Sequence, residues 1–367
     1  MSDEVFILSA VRTPIGSFCG SLASLQAHEL GALVIIESVN RAKVNPDEIT
    51  EVIFGHTLTA GQGQNPVRQA AVMAGLPVTM PATSVNMICG SGLKAVILGT
   101  QTIKAGDSDL VVVGGQESMS QAQHSIHMRN GTKMGQAVLV DTMIKDGLTD
   151  AFNDIHMGIT AENIVKKWKI SREEQDQYSL LSQQKAAAAQ NEKLFEEEIV
   201  PVTIQGRKVI TVSKDEYIKH DSTIEGLRVL RPVFIRDGTG TVTAGNASGL
   251  NDGAAALVLG SKSYADAKGL NPLARIVSYA SSGVDPLIMG TGPIPAVRSA
   301  LTKAGWTVND VDYFELNEAF AAQSIVVAKE LNIPAQKVNV NGGAIALGHP
   351  LGASGGGQGV ALCVELV

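Results

Sequence analysis

The sequence has little of what marks membrane, nucleic-acid-binding or targeted proteins. Aromatic residues make up only 4% of its 367 positions, and no apolar run approaches the length of a membrane span. The formal net charge is −7, whereas a nucleic-acid partner calls for a basic surface. The first residues show no basic or Arg-rich leader, and the last three are not the Ser-Lys-Leu signal. We therefore expect no membrane or nucleic-acid partner and a cytoplasmic location.

Cysteine is also scarce, while glycine is abundant. Only Cys19, Cys89 and Cys363 are present, too few for a disulfide framework, so we expect a reducing compartment. The 38 glycines occur mostly in short clusters, and hydrophobic residues reach 44%. A chain of this length has enough apolar residues for two or three cores. The glycine clusters favour tightly packed α/β structure with sites lined by backbone.

The chain contains an internal repeat. Short β-type runs at residues 49–55 and 311–317 lie 262 positions apart, and each follows an amphipathic helix. The Ser91-Gly92 step recurs at Ser354-Gly355, 263 positions later. Matches at almost one offset predict a duplicated α/β half.

The residues between the two halves differ in composition. Residues 160–191 are polar and helical in pattern, and residues 214–236 mix charges with few apolar runs. This region is predicted to be a lid attached to the first half, after which an apolar run at 253–260 returns as a buried strand. We divide the chain into a first half (1–118 and 248–268), an inserted loop domain (119–247) and a second half (269–367).

Three residues suit catalysis by their positions. Cys89 follows a predicted strand at 83–88 and precedes a predicted helix at 93–105, and a helix N-terminus stabilises a thiolate. His349 occupies the corresponding glycine-rich turn of the second half, which suits a general base or an oxyanion donor. Asn317 closes a strand, where α/β folds place their sites. Taken singly, such a cysteine is more often inert core, such a histidine is usually structural, and such an asparagine belongs to a turn.

Six motifs resemble those of the thiolase family and run nearly from end to end. They are SAVRTPIG (9–16), NMICGSG (86–92), GGQESM (114–119), AGNASGLNDG (244–253), NEAF (317–320) and GGAIALGHP (342–350). Jointly they are highly specific, and they are most like those of the cytosolic biosynthetic members. The resemblance implies a duplicated α/β core in five layers, αβαβα, with a loop domain inserted in the first half.

The resemblance also implies a reaction, the reversible Claisen condensation of two acetyl-CoA to acetoacetyl-CoA and CoA. Cys89 would carry the acetyl group, His349 would accept its proton, and Asn317 would hold a water that stabilises the oxyanion with His349. Coenzyme A is then a substrate and product, and no cofactor or metal is implied. Ser182 and Gln183 stand where potassium-dependent members carry a tyrosine, so no potassium requirement is expected.

Further expectations concern coenzyme A and assembly. A small pocket beside Met157 would fit short acyl groups. Family members are dimers or tetramers, and residues 121–147 resemble their tetramerisation loop, so we expect a homo-oligomer. By resemblance, the positions that would contact coenzyme A are His156, Met157, Lys219, Leu230, Phe234, Ala244, Ser248, Ala319 and Phe320.

The repeat is interrupted near the end of the chain. Gly114-Gly-Gln116 recurs at residues 356–358, which is 242 positions later instead of 263, so 21 residues are missing. In the first half these residues form a predicted helix and strand. The second catalytic cysteine of the family, in a Cys-X-Gly motif, is also absent, because Cys363 has no glycine two residues on and fits core packing in the final strand. We predict that the second half lacks a central helix and a strand, with a weakened core and impaired carbon–carbon bond formation.

Two other functions stay open at this point. One is a CoA-binding pseudoenzyme, or a splice-form partner of full-length subunits, which would bind coenzyme A without thiolysis. The other is a fatty-acid condensing enzyme, which shares the fold but uses a Cys-His-His or Cys-His-Asn set. The turn at 87–92 and the loop at 342–355 favour the thiolase interpretation over the condensing enzyme.

Overall fold

The computed structural model describes residues 4–355 and 359–367. The second Gly-Gly-Gln of the repeat, at 356–358, lies outside the described residues. The strands are β1 (Val5–Arg12), β2 (Gly16–Ser17), β3 (Glu51–Gly55), β4 (Ala82–Val85), β5 (Leu110–Ser118), β6 (His124–Ser125), β7 (Val140–Asp141), β8 (Thr149–Asp150), β9 (Ile155–His156), β10 (Val202–Ile204), β11 (Ile210–Val212), β12 (Asn251–Ser261), β13 (Ala274–Ser281) and β14 (Val360–Leu366).

Ten α-helices are found within the described residues. None of them combines the length and the apolar character that crossing a bilayer needs. They are α1 (Ala27–Ala42), α2 (Pro66–Met73), α3 (Ser91–Ala105), α4 (Met157–Trp168), α5 (Arg172–Asn191), α6 (Ile224–Arg228), α7 (Lys262–Lys268), α8 (Pro293–Ala304), α9 (Ala321–Leu331) and α10 (Ala344–Leu347).

One mixed sheet of eight strands organises the chain. Its order is β14-β13-β1-β12-β5-β3-β4, with β2 paired to the end of β12. Every residue of β5 is buried, because helices cover both faces of the sheet. Val112 packs in the core with α1 and α2, whereas Val111 and Val113 pack in the core with α3. A continuous apolar run such as LVVV in β5 is typical of a strand buried on both sides.

The pairing of β13 with β14 repeats the pairing of β1 with β12. Both pairs are antiparallel, and the register shifts just before Ser9 in β1 and just before Ser278 in β13. The Ser9 hydroxyl donates to Ser38 O at the end of α1 at 2.6 Å, and the Ser278 hydroxyl donates to Ala300 O of α8 at 2.7 Å. A bulge, a serine and a helix therefore recur together, which supports the predicted duplication.

Residues 311–317 do not form the predicted strand. Within the described residues only Phe314 forms a bridge there. Phe314 N donates to Lys337 O at 2.8 Å, just as Val52 N donates to Pro81 O at 3.2 Å between β3 and β4. Along one edge, the segment thus pairs with residues near Val338 as β3 pairs with β4 in the first half. Among the residues that the structure describes, it has no partner along the other edge, and short pairing on one side alone is marginal.

The inserted segment packs against both halves: Val200 and Val202 lie in the core of the first half, and helices α4 and α5 contact the second. Ile164 of α4 shares a core with Phe314 and with Val326 of α9. Helix α5 runs beside α9 and α10. The insert therefore contacts the first half, as expected, and in addition buries the apolar face of α4 against α9. The domain boundaries themselves stay a prediction.

Candidate active site

Cys89 lies in a tight turn between β4 and α3. Strand β4 ends at Val85, earlier than the predicted end at residue 88, and α3 begins at Ser91 rather than at residue 93. The Ser91 hydroxyl accepts from Met87 N at 2.8 Å and donates to Ile88 O at 2.6 Å. Ile88 has a φ of +50°, which a β-branched residue rarely adopts. Ser91 therefore holds a strained turn directly before the cysteine.

The surroundings of Cys89 keep its thiol protonated. The half-buried Cys89 packs against an apolar cluster that contains Leu58, Met119 and Leu351. Burial raises the pKa of the thiol to about 12, and the Glu117 carboxylate adds to the rise. Burial therefore opposes the stabilisation of the thiolate that the helix N-terminus is predicted to supply. Desolvation of the thiolate outweighs the backbone hydrogen bond that favours it.

His349 lies after α10 in the glycine-rich loop of the second half. Its backbone N donates to Asn251 Oδ1 at 2.9 Å. The ring Nδ1 lies 2.9 Å from Ser354 Oγ, and the ring Nε2 lies 3.4 Å from Asn317 Nδ2. Only 3% of the residue is exposed, and burial lowers the pKa of the imidazole to about 4. His349 is therefore neutral at pH 7.

The Ser354 hydroxyl fixes the nitrogen of His349 that carries the proton. Ser354 Oγ donates to Pro350 O at 2.8 Å, so it accepts from His349 Nδ1–H. Nε2 is then unprotonated, and its lone pair faces the Asn317 Nδ2 donor at 3.4 Å. Of the two ring nitrogens, Nε2 is the one that can take a proton from a thiol.

The loop that carries His349 contacts the start of the helix that follows Cys89. Leu93 N in the first turn of α3 donates to Ser354 O at 3.3 Å. Leu351, two residues after His349, belongs to the same apolar cluster as Cys89. The structure thus brings the two predicted catalytic turns to one end of α3.

Glu117, at the buried end of β5, joins the loop that follows β3 to the loop that carries His349. Its carboxylate accepts from Thr57 N at 3.1 Å, Leu58 N at 3.3 Å and Gly352 N at 2.9 Å. A Cβ atom on Gly115 would lie 2.2 Å from Gly352 O, so the His349 loop approaches β5 as only a glycine allows. Sequence reasoning gave Glu117 no role. The available signal was a carboxylate in an otherwise apolar, fully buried strand.

Asn317 is followed by a buried carboxylate that organises the second half of the site. Glu318 is 1% exposed, and burial raises its pKa. Its contacts join the 317–320 segment to α5 and to the loop before His349. It accepts hydrogen bonds from Tyr178 Oη at 3.1 Å, Ser182 Oγ at 2.7 Å, Asn339 Nδ2 at 2.7 Å and Ile345 N at 3.1 Å.

A cavity of about 830 Å³ opens at Cys89. Met157 lines it, together with residues 145–152 and 281–289. Met157 thus lines this cavity, and the expected fit to short acyl groups stays a prediction. The cavity extends past Phe152 and Val284, which sequence reasoning missed because neither belongs to a recognised motif.

Most of the residues predicted to contact coenzyme A form an aromatic group beside this cavity. The His156 ring stacks on Phe234 with centroids 4.7 Å apart, and Phe320 meets Phe234 edge-on at 6.5 Å. Ser248 N donates to Ala319 O at 3.0 Å. One apolar cluster contains Met157, Phe234, Ala319, Phe320 and Met289. Met289 also lines the cavity.

The remaining predicted positions lie in a second cleft. Lys219, Leu230 and Ala244 line a space of about 590 Å³. Lys219 N donates to Gln183 Oε1 at 2.8 Å, which fixes this segment on α5. The structure therefore divides the predicted contacts between the Cys89 cavity and a cleft that carries a lysine.

These features define a site for acyl transfer through a thiol. It holds a cysteine at a helix N-terminus, a neutral imidazole with an unprotonated nitrogen and an amide beside that nitrogen. Residues 5–263 match the family model "Thiolase, N-terminal domain", and residues 270–367 match "Thiolase, C-terminal domain". The chain belongs to the thiolase family.

Similar proteins bear the name acetyl-CoA acetyltransferase. The chain is 54% identical to the cytosolic enzyme of Mus musculus over 391 residues, covering 99% of this chain and 98% of that one. It is 55% identical to the Paracoccus denitrificans enzyme over 389 residues, with 99% of each chain covered. The crystal structure of the Bacillus anthracis enzyme matches with a TM-score of 0.97 at 42% identity, covering 100% of this chain and 99% of that one. The predicted thiolase fold is confirmed.

The alignment lengths exceed the length of this chain. The alignment with the mouse enzyme spans 391 positions, whereas this chain has 367 residues, so at least 24 of those positions contain no residue of this chain. This difference is close in size to the interruption of the internal repeat.

Proposed function

We propose that this chain is an acetyl-CoA C-acetyltransferase that transfers an acetyl group through Cys89. The names of its relatives support the choice of substrate. The observation that carries the proposal is the neutral His349, whose Nε2 is unprotonated because Nδ1–H is bound to Ser354. A neutral imidazole beside a protonated thiol can act as a general base.

In the first step, Cys89 Sγ attacks the thioester carbonyl of acetyl-CoA while its proton moves to His349 Nε2. The bond between the carbonyl carbon and the coenzyme A sulfur then breaks, and the proton passes to the departing thiolate. The pKa values of about 12 for the thiol and about 4 for the imidazole oppose proton transfer in the resting site. The proton therefore moves only as the new sulfur–carbon bond forms.

Negative charge develops on the carbonyl oxygen during this step. By resemblance, a water held by Asn317 and the His349 ring supply donors for it, and the backbone N of Cys89 supplies another. Donors fixed in place before the reaction can each contribute several kcal/mol to stabilising the transition state. Ser91 and Glu318 position Cys89 and Asn317 through the contacts described above.

The second step joins the acetyl group to a second acetyl-CoA and requires a base for the methyl proton. The resemblance assigns that task to a cysteine that the predicted deletion removes. Cys363 lies in β14 and packs with Ala300 and Ala361, so it does not replace that base. We therefore propose that carbon–carbon bond formation is slower than formation of the acetyl-enzyme.

Coenzyme A would extend from the Cys89 cavity along the aromatic group to the cleft of Lys219. The apolar surfaces of Phe234 and Phe320 suit the pantetheine arm, and the Lys219 ammonium suits a phosphate. These assignments are supported by resemblance and by the two spaces found there. No cofactor and no metal ion has a part in this mechanism.

The proposal also covers the oligomeric state of the protein and its location in the cell. Met134 is 94% exposed and Val138 is 71% exposed in the segment that resembles a tetramerisation loop. Covering such apolar side chains supports a homo-oligomer, either a dimer or a tetramer. The cytosolic mouse and rat relatives support a cytoplasmic location. The division at residues 118, 247 and 268 is part of the same proposal.

The test is CoA-dependent thiolysis of acetoacetyl-CoA, with mass spectrometry of the protein after exposure to acetyl-CoA. We expect one added acetyl group on Cys89, and no labelling and no turnover in Cys89→Ala. Cys19→Ala is the matched control, because Cys19 is exposed and plays no part in the proposed step. Binding of coenzyme A without acetylation of Cys89 would instead favour the pseudoenzyme alternative.

A further inference from the structure

The second half contains an open slot between β14 and residues 311–317. A cavity of about 310 Å³ lies there, lined by residues 360–364 on one side and residues 311–317 on the other. Within the described residues, β14 pairs only with β13, so its other edge faces this slot. Both edges thus present backbone groups to a space that no described strand fills.

The hydrogen bonds of residues 311–317 show which groups face the slot. Phe314 N donates to Lys337 O at 2.8 Å, and Phe314 O accepts from Asn339 N at 2.9 Å. In a parallel pair, the N–H and C=O of the next residues along the strand point the opposite way. The backbone groups of Tyr313 and Glu315 are therefore directed into the slot.

The first half has β5 at the corresponding place. Strand β12 pairs antiparallel with β5, and β5 pairs parallel with β3. Strand β14 corresponds to β12 through the shared bulge, and residues 311–317 correspond to β3 through the shared pairing with the next segment. One extended strand in the slot could form backbone hydrogen bonds with both edges. It would run antiparallel to β14 and parallel to residues 311–317, as β5 runs antiparallel to β12 and parallel to β3.

The sequence points to the same place. The interruption of the repeat removes 21 residues, which correspond to residues 93–113 of the first half and so to α3 and the start of β5. The longer alignments with relatives leave room for a segment of this size. The predicted loss of a helix and a strand from the second half would account for both the shortened repeat and the open slot.

We propose that this slot is a binding site for an extended peptide strand supplied by another polypeptide. The ligand resembles β5: a neutral run of β-branched residues followed by glycines, parallel to residues 311–317 and antiparallel to β14. Addition of a strand to exposed edges is an established mode of peptide binding. The proposal does not depend on the proposed catalytic function.

The lining of the slot sets the chemistry of the ligand. Leu93, Val297, Leu301 and Trp306 offer apolar contact, and Glu315 is the one charged residue among the lining residues that the structure describes. This lining favours an apolar, uncharged strand. A folded second copy is a poor source of this strand, because its own β5 is buried on both faces.

The experiment measures binding of a synthetic peptide that carries residues 110–116, extended by two C-terminal lysines for solubility, to the full chain. Fluorescence anisotropy of the labelled peptide reports the dissociation constant. The matched peptide has proline at the position of Val112, which removes a backbone donor and disfavours pairing. We expect saturable binding that is at least tenfold tighter for the unmodified peptide.

Two protein variants locate the binding. Tyr313→Pro removes the N–H that faces the slot and should weaken binding at least tenfold, whereas Tyr313→Ala keeps it and should bind the peptide unchanged. Circular dichroism must show both variants folded. Absence of peptide binding, or equal binding of the two peptides, would overturn the proposal.

An insertion variant gives a second test, which stays informative if Tyr313→Pro does not fold. Copying residues 93–113 between Gly355 and Gly356 should fill the slot within the chain, abolish peptide binding and raise the melting temperature. A Gly/Ser insert of the same length should do neither. Concentration-dependent dimerisation that the peptide does not reverse, without peptide binding, would instead identify a second copy as the occupant and refute the proposal.

Discussion

At the scale of single residues, Cys89 and His349 show how far sequence alone reaches. Their place at equivalent turns and their approach to one helix end follow from the repeat and the motifs. The protonation of Cys89 could not be predicted, because it depends on how many protein atoms surround the thiol. The sequence shows the helix N-terminus but not the apolar cluster or the Glu117 carboxylate that oppose it.

Ser354 should act as a positioning residue for His349. Ser354→Ala leaves Nδ1–H without its acceptor, so the imidazole can place its proton on Nε2 and lose its action as a base. We expect roughly tenfold slower alkylation of Cys89 by iodoacetamide at pH 7.5, which corresponds to about 1.4 kcal/mol. Ser354→Thr keeps the hydroxyl and should restore the rate. An unchanged rate in Ser354→Ala would show that Ser354 does not set the tautomer.

His349 should make stability depend on pH in a defined window. Its folded pKa of about 4 lies below the ordinary value of 6.5, so below pH 6.5 the unfolded chain binds a proton that the folded chain does not. The stabilisation is therefore complete above pH 6.5 and falls as the pH drops towards 4. Between pH 7 and pH 5 this loss is roughly 2 kcal/mol.

The measurement is urea unfolding of the wild type and of His349→Asn at both pH values. The wild type should lose roughly 2 kcal/mol more than the variant. The exposed His127→Asn serves as control and should behave like the wild type. Equal pH dependence in wild type and His349→Asn would contradict a lowered pKa.

At the scale of elements, the longer helices and several buried strands could be predicted from periodicity and apolar runs. Helix α3 starts within two residues of its predicted start, and β12 contains the predicted run at 253–260. Residues 311–317 have the composition of a strand but lack a neighbour along one edge. A strand forms through its partners, and the sequence of a segment does not show whether its partner is present. The extent of the 830 Å³ cavity escaped prediction for a similar reason, since its walls come from loops outside every motif.

Glu318 should be the most sensitive side chain in the junction of α5, the 317–320 segment and the loop before His349. Glu318→Ala leaves four buried donors without their acceptor, so we expect a loss of about 3–5 kcal/mol in the free energy of unfolding. Glu315→Ala is the matched control on the same segment, and its exposed side chain should matter by less than about 0.5 kcal/mol. Urea unfolding monitored by circular dichroism gives both values. A Glu318→Ala loss as small as that of the control would show that the donors find other acceptors.

At the scale of the whole molecule, the two halves approach closely where Gly115 of β5 packs against Gly352 of the His349 loop. Gly115→Ala places a methyl group 2.2 Å from Gly352 O, so the His349 loop must move away from β5. We expect a loss of about 1–3 kcal/mol in stability and slower acetylation of Cys89. Gly206→Ala, whose new Cβ meets nothing nearer than 3.6 Å, is the control for the added methyl. Full stability and acetylation in Gly115→Ala would show that the loop docks by other contacts.

The position of β1 in the sheet has a consequence for synthesis of the chain. Its two neighbours are β12 and β13, so Val5 pairs with Ser261 on one side and Ile276 on the other. Strand β1 therefore leaves the ribosome long before either of its partner strands has been made. Contacts so distant in sequence slow folding and leave apolar edges uncovered meanwhile. The sheet of the first half is therefore completed only after the inserted segment has been made, because β12 follows that segment in the chain.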